Sequence, residues 1–174
     1  MDDKVVRIGL VGAGNNTRVR HIPGFKALKA VEIVSVCNST RESSERVASE
    51  FNIPKVYDNW VELVRAPDTD AICIGTYPNL HSAITLEALS SGKHVLTEAR
   101  MAANATEARS MLNASIVRPD LIAQIVPAPG SLVVDKTIKR LISEGLLGDL
   151  IHLEMNFSSG NFPDKHGEFH WRHN

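Results

Sequence analysis

Two glycines stand between the first apolar run and a helical pattern, in the order Gly12, Ala13, Gly14, Asn15, Asn16. At such a strand-to-helix turn the first glycine permits a sharp bend, and the second lets a pyrophosphate approach the backbone. The first helix amides then face the anion. Thr17 stands where the fingerprint has its third glycine. A tight turn without a ligand is the alternative, but the place in the first strand–helix unit favours a dinucleotide-binding turn.

The end of the second apolar run bears on which dinucleotide binds. An NAD site usually has an Asp or Glu there, roughly 20 residues beyond the glycines, to bind the ribose hydroxyls. This chain has Ser39, Thr40 and Arg41 and no acid, a set that suits a 2′-phosphate. We therefore expect NADPH to bind more tightly than NADH, with Arg41→Ala removing most of the difference. Alternatively, Ser39 or Thr40 caps the next helix and Arg41 pairs with Glu45.

Composition and charge exclude several classes of protein. The 174 residues carry 19 Lys and Arg against 20 Asp and Glu, with 43% hydrophobic residues. This is the balance of a globular protein that has no electrostatic attraction to nucleic acid. No apolar run approaches the roughly 20 residues of a membrane helix, and the first strand follows Met1 too closely for a signal peptide. We expect a cytoplasmic protein that binds neither nucleic acid nor membrane.

Cysteine and histidine do not predict a metal site. Cys37 and Cys73 lie in apolar runs, so we interpret both as free core residues rather than as a disulfide. His166, His170 and His173 have spacings that a metal could use, but no cysteine accompanies them. We therefore expect no metal.

Short apolar runs alternate with helical patterns along the chain. The strands are predicted at Val5–Val11, Val31–Cys37, Ala71–Gly75, His94–Leu96 and Leu121–Val126, and the helices at Arg18–Leu28, Arg41–Phe51, Trp60–Arg65, His81–Ser90, Ala105–Val117 and Leu132–Ser143. Most runs are continuously apolar, as in parallel strands buried on both faces. The predicted fold is α/β, a doubly wound parallel sheet of the Rossmann type.

The pattern changes after Gly148. Apolar residues occupy every second position from Ile151 to Phe157, which is typical of a strand in an antiparallel sheet. We therefore predict a dinucleotide-binding domain over residues 1–148 and the beginning of a second, α+β domain over 149–174. The chain is then either a fragment of a longer protein or pairs through this sheet with another subunit, as a homo-oligomer.

Two further stretches, together with the glycine turn, resemble the Gfo/Idh/MocA family, which includes glucose–fructose oxidoreductases and inositol dehydrogenases. One stretch runs from Thr76 through Tyr77 and Pro78 to His81, and the other is Lys93-His94-Val95-Leu96-Thr97-Glu98-Ala99-Arg100. The family has a Thr-Pro loop with a following His, and then Gly-Lys-His-Val-x-x-Glu-Lys-Pro. The resemblance extends from about Val5 to Phe157.

The resemblance implies a role for each matching residue. Residues 12–16 would hold the pyrophosphate of NADP or NAD, and Ser39, Thr40 and Arg41 would lie at the adenosine ribose. The nicotinamide side would be lined by Thr76, Tyr77, Pro78 and His81, with Glu98 near the nicotinamide ribose. The substrate would be a small sugar or polyol, oxidised or reduced by hydride transfer, and the tail around His166 and Trp171 would border its pocket.

Position 99 departs from the family pattern. The family's Lys, which helps to position or polarise the substrate oxygen, is Ala99, and its Pro is Arg100. Alanine can neither donate a hydrogen bond nor carry charge, so Glu98 and Arg100 are the remaining catalytic candidates. The family's usual acid/base His lies on a second-domain helix beyond Asn174. We therefore expect the chain alone to bind cofactor without measurable polyol oxidation, and a non-catalytic dinucleotide-binding module is the alternative function.

Overall fold

The computed structural model describes residues 5–126, 134–154 and 156. By its internal contacts the chain divides into two compact units, Met1–Pro129 and Gly130–Asn174. The predicted domain boundary, after residue 148, stays a prediction.

The first unit is built on one six-stranded parallel sheet. Its strands are β1 (Val6–Val11), β2 (Val31–Cys37), β3 (Lys55–Val56), β4 (Ala71–Ile74), β5 (His94–Thr97) and β6 (Ala123–Ile125). They lie in the order β3-β2-β1-β4-β5-β6, so the predicted Rossmann-type sheet is confirmed. The strand β3 was not predicted, because its two residues are too few to show a period; it pairs with Ser35 and Val36 of β2.

The helices follow the strands in alternation. They are α1 (Ile22–Lys26), α2 (Arg41–Phe51), α3 (Trp60–Arg65), α4 (Pro78–Ser90), α5 (Ala105–Ile116) and α6 (Asp135–Ser143). The predicted helix Arg18–Leu28 is instead a π-helical turn, Thr17–His21, that runs into α1. Pro23 near the start of α1 has no amide hydrogen to donate to the preceding turn, which accounts for the change in winding there.

Apolar side chains alternate between the two faces of the sheet. One core cluster contains Val11 of β1 and Ile72 of β4 together with α3 and α4 residues such as Leu63 and Ile84. The other cluster contains Leu10, the neighbour of Val11, and packs against α1 and α2. Both faces of the central strands are therefore buried, as the continuous apolar runs predict.

A buried lysine joins the loop after α3 to the start of β5. Only 8% of Lys93 is exposed. Its Nζ donates hydrogen bonds to Ala66 O at 2.7 Å and to Thr69 O at 2.6 Å. The Gly-Lys-His-Val stretch of the sequence therefore contains a structural lysine, whose pKa is lowered by burial.

The second unit contains α6, and the segment that follows it differs from the strand predicted from Ile151 to Phe157. Residues Ile151–Glu154 and Asn156 form no strand, and Ile151 is 97% exposed. A strand requires a neighbour for its amide and carbonyl groups, and none of the residues that the structure describes pairs with this segment. Phe157 and the tail from 158 to 174, with its histidines, lie outside the described residues. Within the described ranges no helix is both long and apolar enough to cross a membrane.

Candidate functional site

The glycine turn lies at the carboxyl ends of β1 and β4, where the order of the sheet reverses direction. Ligands of open α/β sheets bind at such a point. Gly12 has φ +83°, and a Cβ placed there would lie 2.7 Å from the backbone nitrogen of Thr76. The turn therefore requires glycine at residue 12 both for its backbone conformation and for its close approach to the loop after β4.

The threonine in place of the third glycine fits because a glycine, Gly75, directly follows the neighbouring strand β4. Thr17 is buried, and its Oγ1 donates a hydrogen bond to Gly12 O at 3.1 Å. A Cβ on Gly75 would lie 2.1 Å from this Oγ1 and 2.4 Å from Gly12 O. The absence of a side chain at residue 75 thus provides the space that Thr17 occupies.

We expect Gly75→Ala to lower the free energy of unfolding by about 1–3 kcal/mol, as overpacking does in other cores. The Thr17 hydroxyl could rotate away from the added methyl group, but the Gly12 carbonyl moves only with the whole turn. Urea denaturation measures the effect. Gly14→Ala is the matched control, since its Cβ would meet only Gly75 O, at 3.9 Å. Equal stability of the two variants would contradict this packing.

A cavity of about 400 Å³ opens beside the turn, within the range of small-molecule sites. Six of the predicted cofactor residues line it, namely Gly12, Ala13, Gly14, Ser39, Thr76 and Tyr77. The sequence reasoning missed the other lining residues, which are Val11, Arg18, Cys37, Asn38, Ser43, Arg46, Val47, Trp60, Gly75 and Leu80. The structure therefore brings the glycine turn, the end of β2, α2 and the loop after β4 around one space.

The lining of the cavity suits an anionic ligand. Arg18 and Arg46 line it, and no Asp or Glu does. Arg18 forms an ion pair at 2.5 Å with Glu50. Nothing but Gly75 O lies within 4 Å of a Cβ built on Gly14, so the missing side chain of this glycine leaves room in the cavity. These features fit the phosphates and ribose of a dinucleotide.

Thr40 and Arg41 do not line the cavity. The Thr40 side chain caps α2 by accepting a hydrogen bond from the Ser43 amide at 3.2 Å. Arg41 donates to Glu45 and to Asp58, each at 2.8 Å. These are the contacts of the alternative interpretation of this segment, in which a hydroxyl caps the helix and the arginine pairs at i+4.

Asn38, directly after β2, connects the glycine turn to α2. Its Oδ1 accepts a hydrogen bond from the Ala13 amide at 2.7 Å, and its Nδ2 donates to Ser43 O at 3.1 Å. The sequence signal for this role is only the polar residue at the carboxyl end of an apolar strand. Next to it, burial raises the pKa of the Cys37 thiol to about 11, so the cavity presents a neutral thiol rather than a nucleophilic thiolate.

A cluster of polar side chains around one carboxylate, Glu98, lies at the same edge of the sheet, after β5. Glu98 Oε1 accepts hydrogen bonds from Asn16 Nδ2 and pairs with His21 Nε2. The Glu98 and His21 side chains are 16% and 13% exposed, and His21 stacks on Phe25 with ring centroids 6.1 Å apart. Two side chains of the first helical segment thus fix one oxygen of Glu98.

His81 is buried under the site rather than exposed in it. Its Nδ1 lies 2.8 Å from Arg100 O and its Nε2 lies 3.0 Å from Thr76 O. Pro78 begins the same helix, α4. His81 therefore holds together the loops after β4 and β5, and the Arg100 side chain is exposed beside them.

In the described part of the chain, no group of three or more His, Cys, Asp or Glu side chains is arranged so that it could hold a metal ion. Cys37 and Cys73 are both free and buried, as predicted.

Comparison with known proteins gives consistent matches. Residues 6–119 match the model of the Gfo/Idh/MocA family, an oxidoreductase family with an NAD-binding Rossmann fold. Trans-1,2-dihydrobenzene-1,2-diol dehydrogenase from Bos taurus is 28% identical over 96% of this chain and 48% of its own length. 1,5-anhydro-D-fructose reductase from Ensifer adhaerens is 37% identical over 63% of this chain and 32% of its own length.

A solved structure shares the fold. Apo scyllo-inositol dehydrogenase from Lactobacillus casei superposes with a TM-score of 0.74 at 20% identity, covering 86% of this chain and 44% of that one. The chain spans at most about half the length of the proteins it matches.

Proposed function

Because this chain belongs to the Gfo/Idh/MocA oxidoreductase family with its NAD-binding Rossmann fold, we propose that it is the cofactor-binding part of an enzyme that transfers a hydride between NAD(P) and a sugar-like polyol or its carbonyl form. The membership confirms the resemblance seen in the sequence and the nicotinamide dinucleotide as cofactor. The observation that carries the proposal is the acid-free, arginine-lined cavity at the switch point between β1 and β4.

The glycine turn and its neighbours bind the dinucleotide in this proposal. Gly14 leaves space for a pyrophosphate against the backbone, and Asn15 and Asn16 begin the helical segment whose amides face it. Thr76 and Tyr77 line the same cavity. When bound, the nicotinamide ring supplies or accepts the hydride, and the protein orients the ring and shapes the site.

Glu98 orients the nicotinamide half. One of its oxygens is held by Asn16 and His21, so the carboxylate has a fixed direction beside the helical segment that follows the glycine turn and can accept a hydrogen bond from a ribose hydroxyl. Arg100 lies two residues after Glu98 and is exposed, so it would offer a cation to a substrate anion or hydroxyl. A guanidinium is a poor general acid or base near neutral pH, so Arg100 would bind substrate rather than act as the acid or base.

A second function is favoured by one residue. Ala99 replaces the family's Lys, and alanine offers no group to position or polarise a substrate oxygen. The chain would then bind a dinucleotide without catalysis, as a sensor or assembly subunit. A cytoplasmic location and association through a C-terminal sheet stay predictions under both functions.

Two measurements on the purified protein separate these functions. Fluorescence titration with NADPH and NADH tests binding, and a panel of polyols and sugars followed at the NADPH absorbance tests turnover. Turnover that disappears in Glu98→Ala supports the enzyme. Cofactor binding without turnover is the result expected of these 174 residues alone under both functions, so it supports the non-catalytic module only if turnover is still absent when a second domain is present. Failure to bind either cofactor would refute both.

A further inference from the structure

The helix α2 presents two different faces, and only one of them lies on the cavity. At about 100° per residue, Ser43, Arg46 and Val47 project from one side of the helix, and Arg41 and Glu45 project from the opposite side. The observed contacts agree with this division, because Ser43, Arg46 and Val47 line the cavity. Val47 is buried in the core cluster and Arg46 is exposed, so the packing of Val47 sets the rotation of the helix and places Arg46 beside the cavity.

The three arginines near the site differ in their partners. Arg41 is committed to Glu45 and Asp58, and these carboxylates also raise the pKa of its guanidinium. Arg18 is paired with Glu50. Arg46 forms no ion pair with any residue that the structure describes. Arg46 is therefore the cavity's uncompensated positive charge, and a bound anion would be its first partner.

The end of β2 lacks the group that would repel a phosphate there. Asn38 stands in the position after β2, and its side chain is used within the protein, on the Ala13 amide and the Ser43 carbonyl. Ser39 and Ser43 line the cavity together with Arg46, but the Ser43 hydroxyl already donates to Thr40 O at 3.1 Å, which leaves Ser39 as the hydroxyl donor. The lining thus combines an unpaired guanidinium with an available hydroxyl and no carboxylate, which is the chemistry of a phosphate monoester site.

We propose that Arg46, with Ser39, binds the 2′-phosphate of the cofactor's adenosine ribose and thereby selects the phosphorylated dinucleotide. The proposal rests on the proposed function, since it requires that a dinucleotide occupies the cavity. It transfers to Arg46 the role that the sequence suggested for Arg41, whose side chain points to the opposite side of α2.

The test compares three arginine-to-glutamine variants that remove the same charge. Arg46→Gln tests the proposal, Arg41→Gln tests the residue that the sequence suggested, and Arg109→Gln on α5, outside the cavity, is the neutral control. NADPH and NADH are titrated against each by fluorescence. We expect wild type to prefer NADPH, and Arg46→Gln to weaken NADPH binding by about 10- to 100-fold, the range of a charge-assisted phosphate contact. Binding of NADH should change little.

The outcomes distinguish this inference from the function on which it rests. If wild type binds neither cofactor, the proposed function fails and this inference fails with it. If wild type binds both equally, or if Arg46→Gln weakens NADH as much as NADPH, a dinucleotide site exists but Arg46 does not read the 2′-phosphate. Loss of the preference in Arg41→Gln instead of Arg46→Gln would also overturn the inference. Circular dichroism checks that each variant remains folded.

Discussion

Replacement of Gly14 by valine is expected to abolish dinucleotide binding while the protein stays folded. A Cβ at residue 14 meets only Gly75 O, at 3.9 Å, so the protein itself tolerates a side chain there. The branched side chain would instead occupy the space where a pyrophosphate approaches the backbone. We expect affinity to fall by more than about 100-fold, the equivalent of some 2.7 kcal/mol, for NADPH and NADH alike. Fluorescence titration measures it.

The matched control for this variant is Gly24→Val on α1. Nothing lies within 4 Å of a Cβ built on Gly24, and Gly24 does not line the cavity. The control should bind cofactor as wild type does. If Gly14→Val retained wild-type affinity, the pyrophosphate would have to bind away from the glycine turn, and the placement of the whole site would be wrong.

Replacement of Lys93 by methionine is expected to cost the fold about 2–4 kcal/mol. The ammonium group donates to Ala66 O and Thr69 O in a buried position. Methionine has a similar length but no donor, so it would leave carbonyl groups of the turn before β4 with lost or weakened hydrogen bonds. The free energy of unfolding in urea, measured near neutral pH, should fall by this amount, and the temperature midpoint should fall with it.

Lys55→Met provides the comparison. Lys55 pairs with Asp68, but its side chain is 55% exposed, and an exposed ion pair contributes at most about 1 kcal/mol. A much larger loss for Lys93→Met than for Lys55→Met would show that burial makes the difference. Equal and small losses would mean that the Lys93 ammonium does not support the turn.

Local patterns were sufficient for most of the first unit. The predicted bounds of α2 and α3, Arg41–Phe51 and Trp60–Arg65, agree with the structure, because each helix has an N-cap side chain directly before it and an apolar face with a helical period. The central strands were predicted because burial on both faces makes them continuously apolar. The alternation after Gly148 predicted a strand that Ile151–Glu154 do not form. An alternating pattern shows that a segment could form a strand, but it does not supply the neighbour that a strand requires.

The sequence by itself determined the glycine turn, the parallel sheet and the family, because these depend on residue type, spacing and a few short motifs. Only the tertiary structure decided which polar side chains meet. His21 and Glu98 are 77 positions apart in the chain, and they meet because β1 and β5 both neighbour β4 in the sheet, which brings together the segments that follow their carboxyl ends. The choice between Arg41 and Arg46 likewise depends on the rotation of α2, which the burial of Val47 against the sheet sets, and on Asp58 lying where it holds Arg41. Charge and helical propensity are local properties, but the direction of a side chain is determined by what its helix packs against.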